Sequence, residues 1–271
     1  MKIKTYIIDA FSEEAFKGNP AGVCLLEKPL TESQMLAIAA ELNLSETAFL
    51  VPSPQDESNF SIRYFTPTVE IAFCGHATLA SAKLVLDKRK LEKVTFVTHH
   101  NLVLQAIKEE EYISMRFPLY DYQPHPPLPN LYTALGLVTP LALYFSEDIK
   151  MLVLEVPTRE ILEQIKPDFS QLLQSTSSVN GLAVTTKSTD SEFDFYSRCF
   201  WPWVGINEDP VTGSAHSVLA KYWADRLQKT EMTAYQLSAR GGHLHLTLID
   251  EHTLEVRSQA QIVLEGTLQI D

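Results

Sequence analysis

The sequence has few cysteines and lacks any long apolar run. Its three cysteines, Cys24, Cys74 and Cys199, are widely spaced and odd in number, so they do not suggest the disulfide framework of a small secreted protein. No uninterrupted apolar run approaches the roughly 20 residues that a transmembrane helix needs. The apolar run near the start is also too short for a signal peptide. We therefore expect a cytoplasmic protein with no membrane partner.

Positive charge is scarce as well. The chain has 22 Lys and Arg against 34 Asp and Glu, which gives a formal net charge of -12. Nucleic-acid binding depends on clustered Lys and Arg that replace counterions, so we expect no nucleic-acid partner. A small anionic ligand is still compatible with this charge, because a local site can have the opposite sign to the whole chain.

The rest of the composition is that of an ordinary globular protein. The chain has 271 residues, 45% of them hydrophobic, which is enough for one or two domains with a sizeable core. Thr31 and Gln34 form a capping box that predicts a helix over residues 31–43. The segment "HATLASAKLVLDKRK" predicts a second helix. It is apolar on most sides, which is typical of a helix surrounded by other elements.

An internal repeat organises the chain. The segment 60–84 matches the segment 195–219 at a constant offset in numbering (195 - 60 = 135), and apolar, Arg and Pro positions all recur. Two amphipathic strands share apolar alternation by chance, but they do not readily share Arg and Pro in register. The sequence therefore predicts two copies of one α+β unit, with equivalent loops facing each other across a cleft. The matched residues are Phe60, Arg63, Phe65, Pro67, Val69 and Ile71, which recur as Phe195, Arg198, Phe200, Pro202, Val204 and Ile206.

The Pro-rich segment "DYQPHPPLPN", residues 121–130, is the predicted linker between the two copies. We expect an N-terminal α+β domain over residues 1–120, completed by a C-terminal strand at 260–271. The second α+β domain is expected over residues 131–259.

The end of each repeated segment has the chemistry of an anion site. At the constant offset Cys74 aligns with Asp209, and both lie between an extended run and a helix start. Helix N-termini present unpaired N–H groups and a positive dipole end, which suit a carboxylate or an enolate. Gly75 and Gly213 lack a Cβ, so a ligand can approach the backbone closely. Ser214 fits the same helix-start chemistry.

Proton transfer at such a cleft requires an acid and a base. Glu46 begins an apolar strand, where we expect partial desolvation to raise its pKa toward neutrality. His243 and His245 share one strand face, but no carboxylate or cysteine spacing completes a ligand set with them, so we expect no metal ion.

Five motifs together resemble the phenazine-biosynthesis PhzF family, which shares the diaminopimelate epimerase fold. The match runs from "DAF" at residue 9 to "RGGHL" near residue 244 and so covers nearly the whole chain. The resemblance implies two pseudo-symmetric α+β domains, each a rolled, mostly antiparallel sheet around a central helix, with the active site in the inter-domain cleft. It also implies a homodimer and isomerase chemistry without a cofactor. The motifs are "GNPAGV", "SETAF", "FTPTVEIAFCGHATLA", "EDPVTGSAHSVLAKYW" and "QLSARGGHL".

The resemblance also assigns roles to residues. Glu46, His76 and Asp209 match the catalytic positions of the family. The groups expected to hold the substrate carboxylate are the Ser45 hydroxyl and the backbone of Gly75, Gly213 and Ser214.

One departure leaves alternatives open. The epimerases and racemases of this fold use two cysteines at the paired junctions, whereas here Cys74 is opposite Asp209. We therefore expect an isomerase that moves a proton within a small carboxylate-bearing substrate. The alternatives are a Cys74-dependent epimerase or racemase, and a non-catalytic metabolite-binding protein. In a purely structural interpretation, Asp209 stabilises a helix dipole, while His76 and Cys74 are buried packing residues.

Overall fold

The computed structural model describes residues 1–138 and 140–270. The chain divides into two compact units: residues 1–116 together with the segment from Val256 onward, and residues 117–255. The elements that open the first unit are β1 (Lys2–Ala10), β2 (Asn19–Leu25), α1 (Glu32–Leu42), β3 (Glu46–Pro52), β4 (Asn59–Phe65), β5 (Glu70–Ile71), α2 (Gly75–Arg89), β6 (Lys93–Thr98), β7 (Val103–Glu109) and β8 (Tyr112–Pro118).

The second unit has a similar order of elements. They are β9 (Gln123–Pro124), α3 (Pro129–Ala134), β10 (Ala142–Ser146), β11 (Met151–Glu155), α4 (Arg159–Gln164), α5 (Phe169–Ser175), β12 (Gly181–Lys187), β13 (Phe195–Trp201), a 3₁₀ turn (Pro202–Val204), β14 (Ile206–Asp209), α6 (Gly213–Leu227), β15 (Glu231–Gln236), β16 (Gly242–Leu248) and β17 (Thr253–Ser258). The last strand of the chain, β18, spans Ala260–Gln269.

The strand pairings repeat from one unit to the other. In the first unit β1–β2 is antiparallel, β2–β3 parallel, β3–β4 antiparallel, β4–β6 parallel and β6–β7 antiparallel. In the second unit β10–β11, β11–β12, β12–β13, β13–β15 and β15–β16 follow the same alternation. The duplication predicted from the sequence is therefore present in the backbone.

Two segments join these sheets from outside the repeated part. Strand β18 pairs antiparallel with β1, from Lys2 opposite Gln269 to Ala10 opposite Ala260. The Pro-rich residues 121–130 lie in the second unit, where β9 pairs with β10 and Pro129 begins α3. Proline is well suited to a helix start, since the N–H that it lacks would have no helical partner there.

The helices confirm two local predictions. Thr31 caps α1 with both reciprocal bonds of the capping box, to Gln34. Helix α2 is buried almost throughout and packs against β1, β2, β3, β6, β7 and β18, so the apolar sequence does form the central helix. Within the described part of the chain, none of the helices combines the length and apolar content needed to cross a bilayer.

The alignment of Cys74 with Asp209 needs a correction. The constant offset of 135 (198 - 63) holds through the strands, as in the pairing of Phe49 with Arg63 and of Val184 with Arg198. The helices, however, begin at Gly75 and Gly213, an offset of 138 (213 - 75). The offset of 138 is already present in β14, because Asp209 pairs with Cys199 as Ile71 pairs with Tyr64 (209 - 71 = 138). The second copy therefore has extra residues between β13 and the end of β14, and the structural counterpart of Cys74 is Thr212.

The repeated Arg and Phe have a packing role. Each Arg forms a bidentate ion pair with a glutamate and lies over the ring of the Phe two residues later. Arg63 binds Glu70 at 2.7 and 2.6 Å, and its guanidinium carbon is 5.3 Å from the Phe65 centroid. Arg198 binds Glu208 at 2.8 and 2.9 Å and lies 5.0 Å from the centroid of its own Phe. The in-register Arg and Phe therefore mark a shared structural contact.

Candidate active site

A buried carboxylate–imidazole pair lies at the start of α2. Glu46 is the first residue of β3 and is held in register by its parallel pairing with Ala21 of β2. His76 lies in the first turn of α2. Its Nε2 is 3.1 Å from Oε2 of Glu46, and His76 and Glu46 are only 7% and 8% exposed. The structure thus brings together two of the three residues to which the sequence assigns catalysis.

The other side of the imidazole ring faces a sulfur and an amide. Nδ1 of His76 is 3.4 Å from Sγ of Cys74 and 3.4 Å from Nδ2 of Asn19. Cys74 is the N-cap residue of α2, and Asn19 is the fully buried first residue of β2. The ring is therefore fixed on both edges by side chains from different elements.

The protonation of this cluster follows from its burial and its partners. Burial opposes charge on His76, but Cys74 and Glu46 outweigh that effect and raise the pKa of His76 well above its usual value. Burial also raises the pKa of the Cys74 thiol, although the charge of His76 acts to lower it. The carboxylate of Glu46, 3.1 Å from Nε2, is the second partner that favours the charged imidazole.

Glu46 behaves differently from the sequence-based expectation. Burial acts to raise the pKa of its carboxyl, as expected, but the hydrogen bond and charge of His76 outweigh burial and lower that pKa. The pair is therefore an ionised carboxylate beside an imidazolium ion, and the two groups titrate as one coupled unit. Such a base is ready to accept a proton at neutral pH.

The predicted carboxylate-binding groups of the first unit flank this pair. Ser45 directly precedes Glu46, and its hydroxyl lies close enough to the Glu46 carboxyl to favour the ionised form of that carboxyl. Its buried Oγ nevertheless has no partner at hydrogen-bonding geometry among the described residues. A Cβ added at Gly75 would meet only the Phe73 ring, at 3.9 Å. The protein itself therefore leaves open space over the Gly75 backbone.

Asp209 lies in the second unit, at the end of β14. The Thr212 hydroxyl donates to its Oδ2 at 2.5 Å, and the Gln236 side chain donates to its backbone oxygen at 2.7 Å. Gln236 also accepts from the Thr212 backbone N–H at 2.9 Å. Gly213 and Ser214 are the first two residues of α6 and are half-buried. The carboxylate position is thus fixed by residues of its own unit, and its meeting with Glu46 and His76 stays a prediction.

Two supporting residues, Asn19 and Gln236, were not identified from the sequence. Both lie inside motifs that carry the family resemblance, "GNPAGV" and "QLSARGGHL". Strand β15 buries Met232, Ala234 and Gln236 on one face. The sequence signal for Gln236 was its polar side chain at an inward-facing position of an alternating strand. A buried amide needs hydrogen-bond partners, so this position indicates a polar contact.

The motif resemblance extends to whole-chain comparisons. The family model for phenazine biosynthesis-like proteins, PhzC-PhzF, matches residues 8–266. A human phenazine biosynthesis-like domain-containing protein is 44% identical over 99% of each chain. A protein of Halalkalibacterium halodurans that is named an uncharacterized isomerase is 42% identical, also over 99% of each chain.

Solved structures agree on the fold. A PhzF-family phenazine biosynthesis protein of Enterococcus faecalis is 40% identical and matches with a TM-score of 0.91 over the whole of both chains. A probable proline racemase of Agrobacterium radiobacter, 13% identical, has a TM-score of 0.61 over 99% of this chain and 93% of its own. These likenesses confirm the predicted fold class of two α+β units with a diaminopimelate epimerase-like fold.

Proposed function

This chain belongs to the PhzC-PhzF family of phenazine biosynthesis-like proteins, and we propose that it is an isomerase that moves a proton within a small carboxylate-bearing substrate. The observation that carries the proposal is the 3.1 Å contact between the buried side chains of Glu46 and His76. An ionised carboxylate beside an imidazolium ion supplies a base and an acid at one place. The names of two bacterial relatives, both uncharacterized isomerases, support the reaction class.

Glu46 is the base of the proposed reaction. Its carboxylate removes a proton from a substrate carbon, and the charge that develops is stabilised by His76 and by the N–H groups at the start of α2. A proton then returns to another carbon, from Asp209 or from the protonated Glu46. These steps use side chains and backbone N–H groups only, and the proposal includes no cofactor.

The substrate carboxylate is proposed to bind at the helix starts. Ser45 brings a buried hydroxyl, and Gly75 brings backbone over which the protein leaves space. Gly213 and Ser214 would act from the second unit. The joint action of both units on one substrate, in a cytoplasmic homodimer, is part of the proposal.

A thiol-dependent epimerase is the second possibility, and one contact favours it. Sγ of Cys74 lies 3.4 Å from Nδ1 of His76, a distance suited to proton transfer between thiol and imidazole. Against it, burial raises the pKa of this thiol. The equivalent position of the second unit is occupied by Thr212, so a symmetric pair of thiols is missing.

Hydrogen exchange separates these reactions. The chain is incubated in D2O with a panel of small carboxylic acids, and loss of C–H signals is followed by NMR. We expect catalysed exchange for at least one acid, and a rate within about tenfold of wild type for Cys74→Ala, since the base is Glu46. Cys199→Ala, which removes a buried thiol of the second unit, is the control.

Two outcomes would contradict the proposal. A loss of more than about a hundredfold in Cys74→Ala alone would favour the thiol mechanism. Acids that bind without any exchange would instead identify a metabolite-binding protein.

A further inference from the structure

A cavity within the first unit concentrates positive charge in a chain that has little of it. Its volume is about 370 Å³, within the range of about 300–1,000 Å³ that is usual for small-ligand sites. Three of its lining side chains are the cations Lys2, Lys4 and Arg89. The chain as a whole has 34 acidic residues against 22 basic ones, so this local excess of cations calls for a physical explanation.

The strand register places most of the lining on one face of the sheet. Lys4 of β1 lies opposite Thr267 of β18 on one side and opposite Leu25 of β2 on the other. Residues directly opposite each other in antiparallel strands share a face, and Lys2, two residues before Lys4, shares it too. Arg89, the last residue of α2, completes the group of cations.

These cations are not neutralised within the described part of the chain, where none of the three forms an ion pair with a carboxylate. Arg89 donates to the backbone carbonyl of Glu57 at 3.0 Å, and its guanidinium carbon lies 4.7 Å from the centroid of the Phe60 ring. Both contacts hold the guanidinium in place, and neither removes its charge.

Two carboxylates lie near the cavity. Glu265 senses the charge of Lys4, which acts to lower its pKa, but its carboxylate binds Nζ of Lys88 at 2.7 Å. Glu27 lines the cavity and is exposed. The lining therefore has three cations and one carboxylate, a net charge of +2 (3 - 1).

The second unit shows that the fold does not require the lysine of β1. Ala142 of β10 lies opposite Glu155 of β11 as Lys4 lies opposite Leu25 of β2, and both pairs continue into a parallel strand. The counterpart of Lys4 is thus an alanine.

The same comparison separates Arg89 from the needs of the helix. A cation near a helix C-terminus stabilises the helix dipole, and Lys88 and Arg226 provide one at equivalent positions (226 - 88 = 138). Arg89 is a further cation, and its counterpart at the same offset is Leu227. Helix α6 has the same length and the same left-handed end without it. The positive charge is therefore a property of this cavity and not of the duplicated fold.

We propose that this cavity binds a small organic phosphate. The phosphate group lies against Lys2, Lys4 and Arg89, since a phosphate monoester carries a charge of about -1.5 to -2 at pH 7 and matches the net charge of the lining. A guanidinium ion with two ammonium ions suits its oxygens. The carbon skeleton of the ligand packs against Leu25 and Pro52, which also line the cavity.

This site is separate from the candidate active site. Arg89 ends α2, whereas His76 lies in its first turn. The helix rises about 1.5 Å per residue, so the backbones of these two residues are about 20 Å apart. The proposal therefore adds a second ligand site to the protein and does not depend on the isomerase reaction.

NMR titration tests both the affinity and the place of binding. The full chain, labelled with ¹⁵N, is titrated at low salt with phenyl phosphate, inorganic phosphate and benzoate. We expect one phenyl phosphate per chain, with the largest amide shifts at residues 2–4, 25–27 and 267. Inorganic phosphate should bind about tenfold more weakly because it makes no apolar contact, and benzoate should also bind more weakly because it carries a single charge.

Variants that copy the second unit identify the cations involved. Lys4→Ala and Arg89→Leu should each weaken phenyl phosphate binding about tenfold, since each removes a charge-assisted contact. Lys90→Gln is the matched control: Lys90 is exposed, lies outside the lining, and has Gln228 as its counterpart. Its affinity should stay within about twofold of wild type, because exposed charges are screened.

Several results would overturn the site. They are no saturation by about 10 mM phenyl phosphate, wild-type affinity in both Lys4→Ala and Arg89→Leu, or an equal loss in Lys90→Gln. Shifts confined to the start of α2 would place the anion in the candidate active site instead. Inorganic phosphate or benzoate binding as tightly as phenyl phosphate would contradict an organic phosphate as the ligand.

Discussion

The two central helices are built alike but begin in different surroundings. Helices α2 and α6 both have 15 residues and both follow an extended N-cap residue, Cys74 or Thr212, that makes no side-chain cap bond. Both end at a left-handed residue, Lys90 or Gln228, with φ 55° and ψ 45°. Among the described residues, only the first unit has a buried carboxylate–imidazole pair at the helix start. The duplicated backbone thus supports two different sets of side-chain chemistry.

Two buried histidines show how strongly the neighbouring groups determine the pKa of an imidazole. His216 takes the place of Thr78, at the offset of the two helix starts, and each side chain lies 2.7 Å from the N-cap carbonyl four residues earlier. Within the described part of the chain, that carbonyl is the one hydrogen-bond partner of the His216 ring, and burial lowers its pKa to about 4. His76, two residues before Thr78, has Glu46 beside it and a raised pKa. Burial is common to both rings, so the charged partner makes the difference.

Among substitutions in the second unit, we expect Asp209→Asn to have the largest effect on C–H exchange. In Asp209→Asn we expect C–H exchange to fall about a hundredfold or more, because an amide cannot return a proton. The side chain of Thr212 can still contact the new residue, so unfolding in urea should change by less than about 1 kcal/mol. Asp148→Asn alters an exposed turn carboxylate and serves as the control. Undiminished exchange in Asp209→Asn would assign the chemistry to the first unit alone.

The repeated arginines should differ in their contribution to stability. Arg198 is nearly buried and also donates to the carbonyls of Leu162 and Ile165, at 3.1 and 2.7 Å. Arg198→Ala leaves Glu208 without its partner and should cost about 3–5 kcal/mol of unfolding free energy. Arg63 is more exposed, at 23% of its side chain, so Arg63→Ala should cost about 1 kcal/mol. Urea unfolding measures both, and equal costs would contradict this difference between the copies.

The two histidines should give opposite pH dependences of stability. Since His216 has a folded pKa of about 4 and an unfolded pKa near 6.5, the unfolded chain binds more protons between these values. Stability should therefore fall by about 3 kcal/mol as pH drops from about 6.5 to 4. His76 has a raised pKa, so its contribution is complete below about pH 6.5 and is lost as pH rises through its folded value.

NMR of the ring carbons and unfolding as a function of pH check this directly. At pH 7 His76 should be charged and His216 neutral. His216→Gln should remove its share of the stability loss between about pH 6.5 and 4. A charged His216 at pH 7, or an unchanged loss in the variant, would show that burial does not control this ring.

Local signals in the sequence predicted much of the fold, and long-range contacts account for what it missed. The capping box at Thr31 and the apolar run of α2 act over a few residues, so both could be identified. The sequence comparison missed the extra residues of the second copy, because chance matches such as Ile71 with Ile206 continued the offset of 135 beyond the point where the pairing changes it. The shift in the pKa of Glu46 was predicted with the wrong sign. The apolar strand indicated that Glu46 is buried, but nothing in the local sequence indicated its contact with His76, which lies 30 residues later in the chain.

The rate of C–H exchange in Glu46→Gln tests most directly the claim that Glu46 is the base. The substitution keeps the shape of the side chain and removes the base, and Glu57→Gln, an exposed position, is the matched control. We expect C–H exchange in D2O to fall by about a hundredfold to ten-thousandfold in Glu46→Gln and to stay at the wild-type rate in the control. Exchange at the wild-type rate in Glu46→Gln would contradict the assignment of Glu46 as the base.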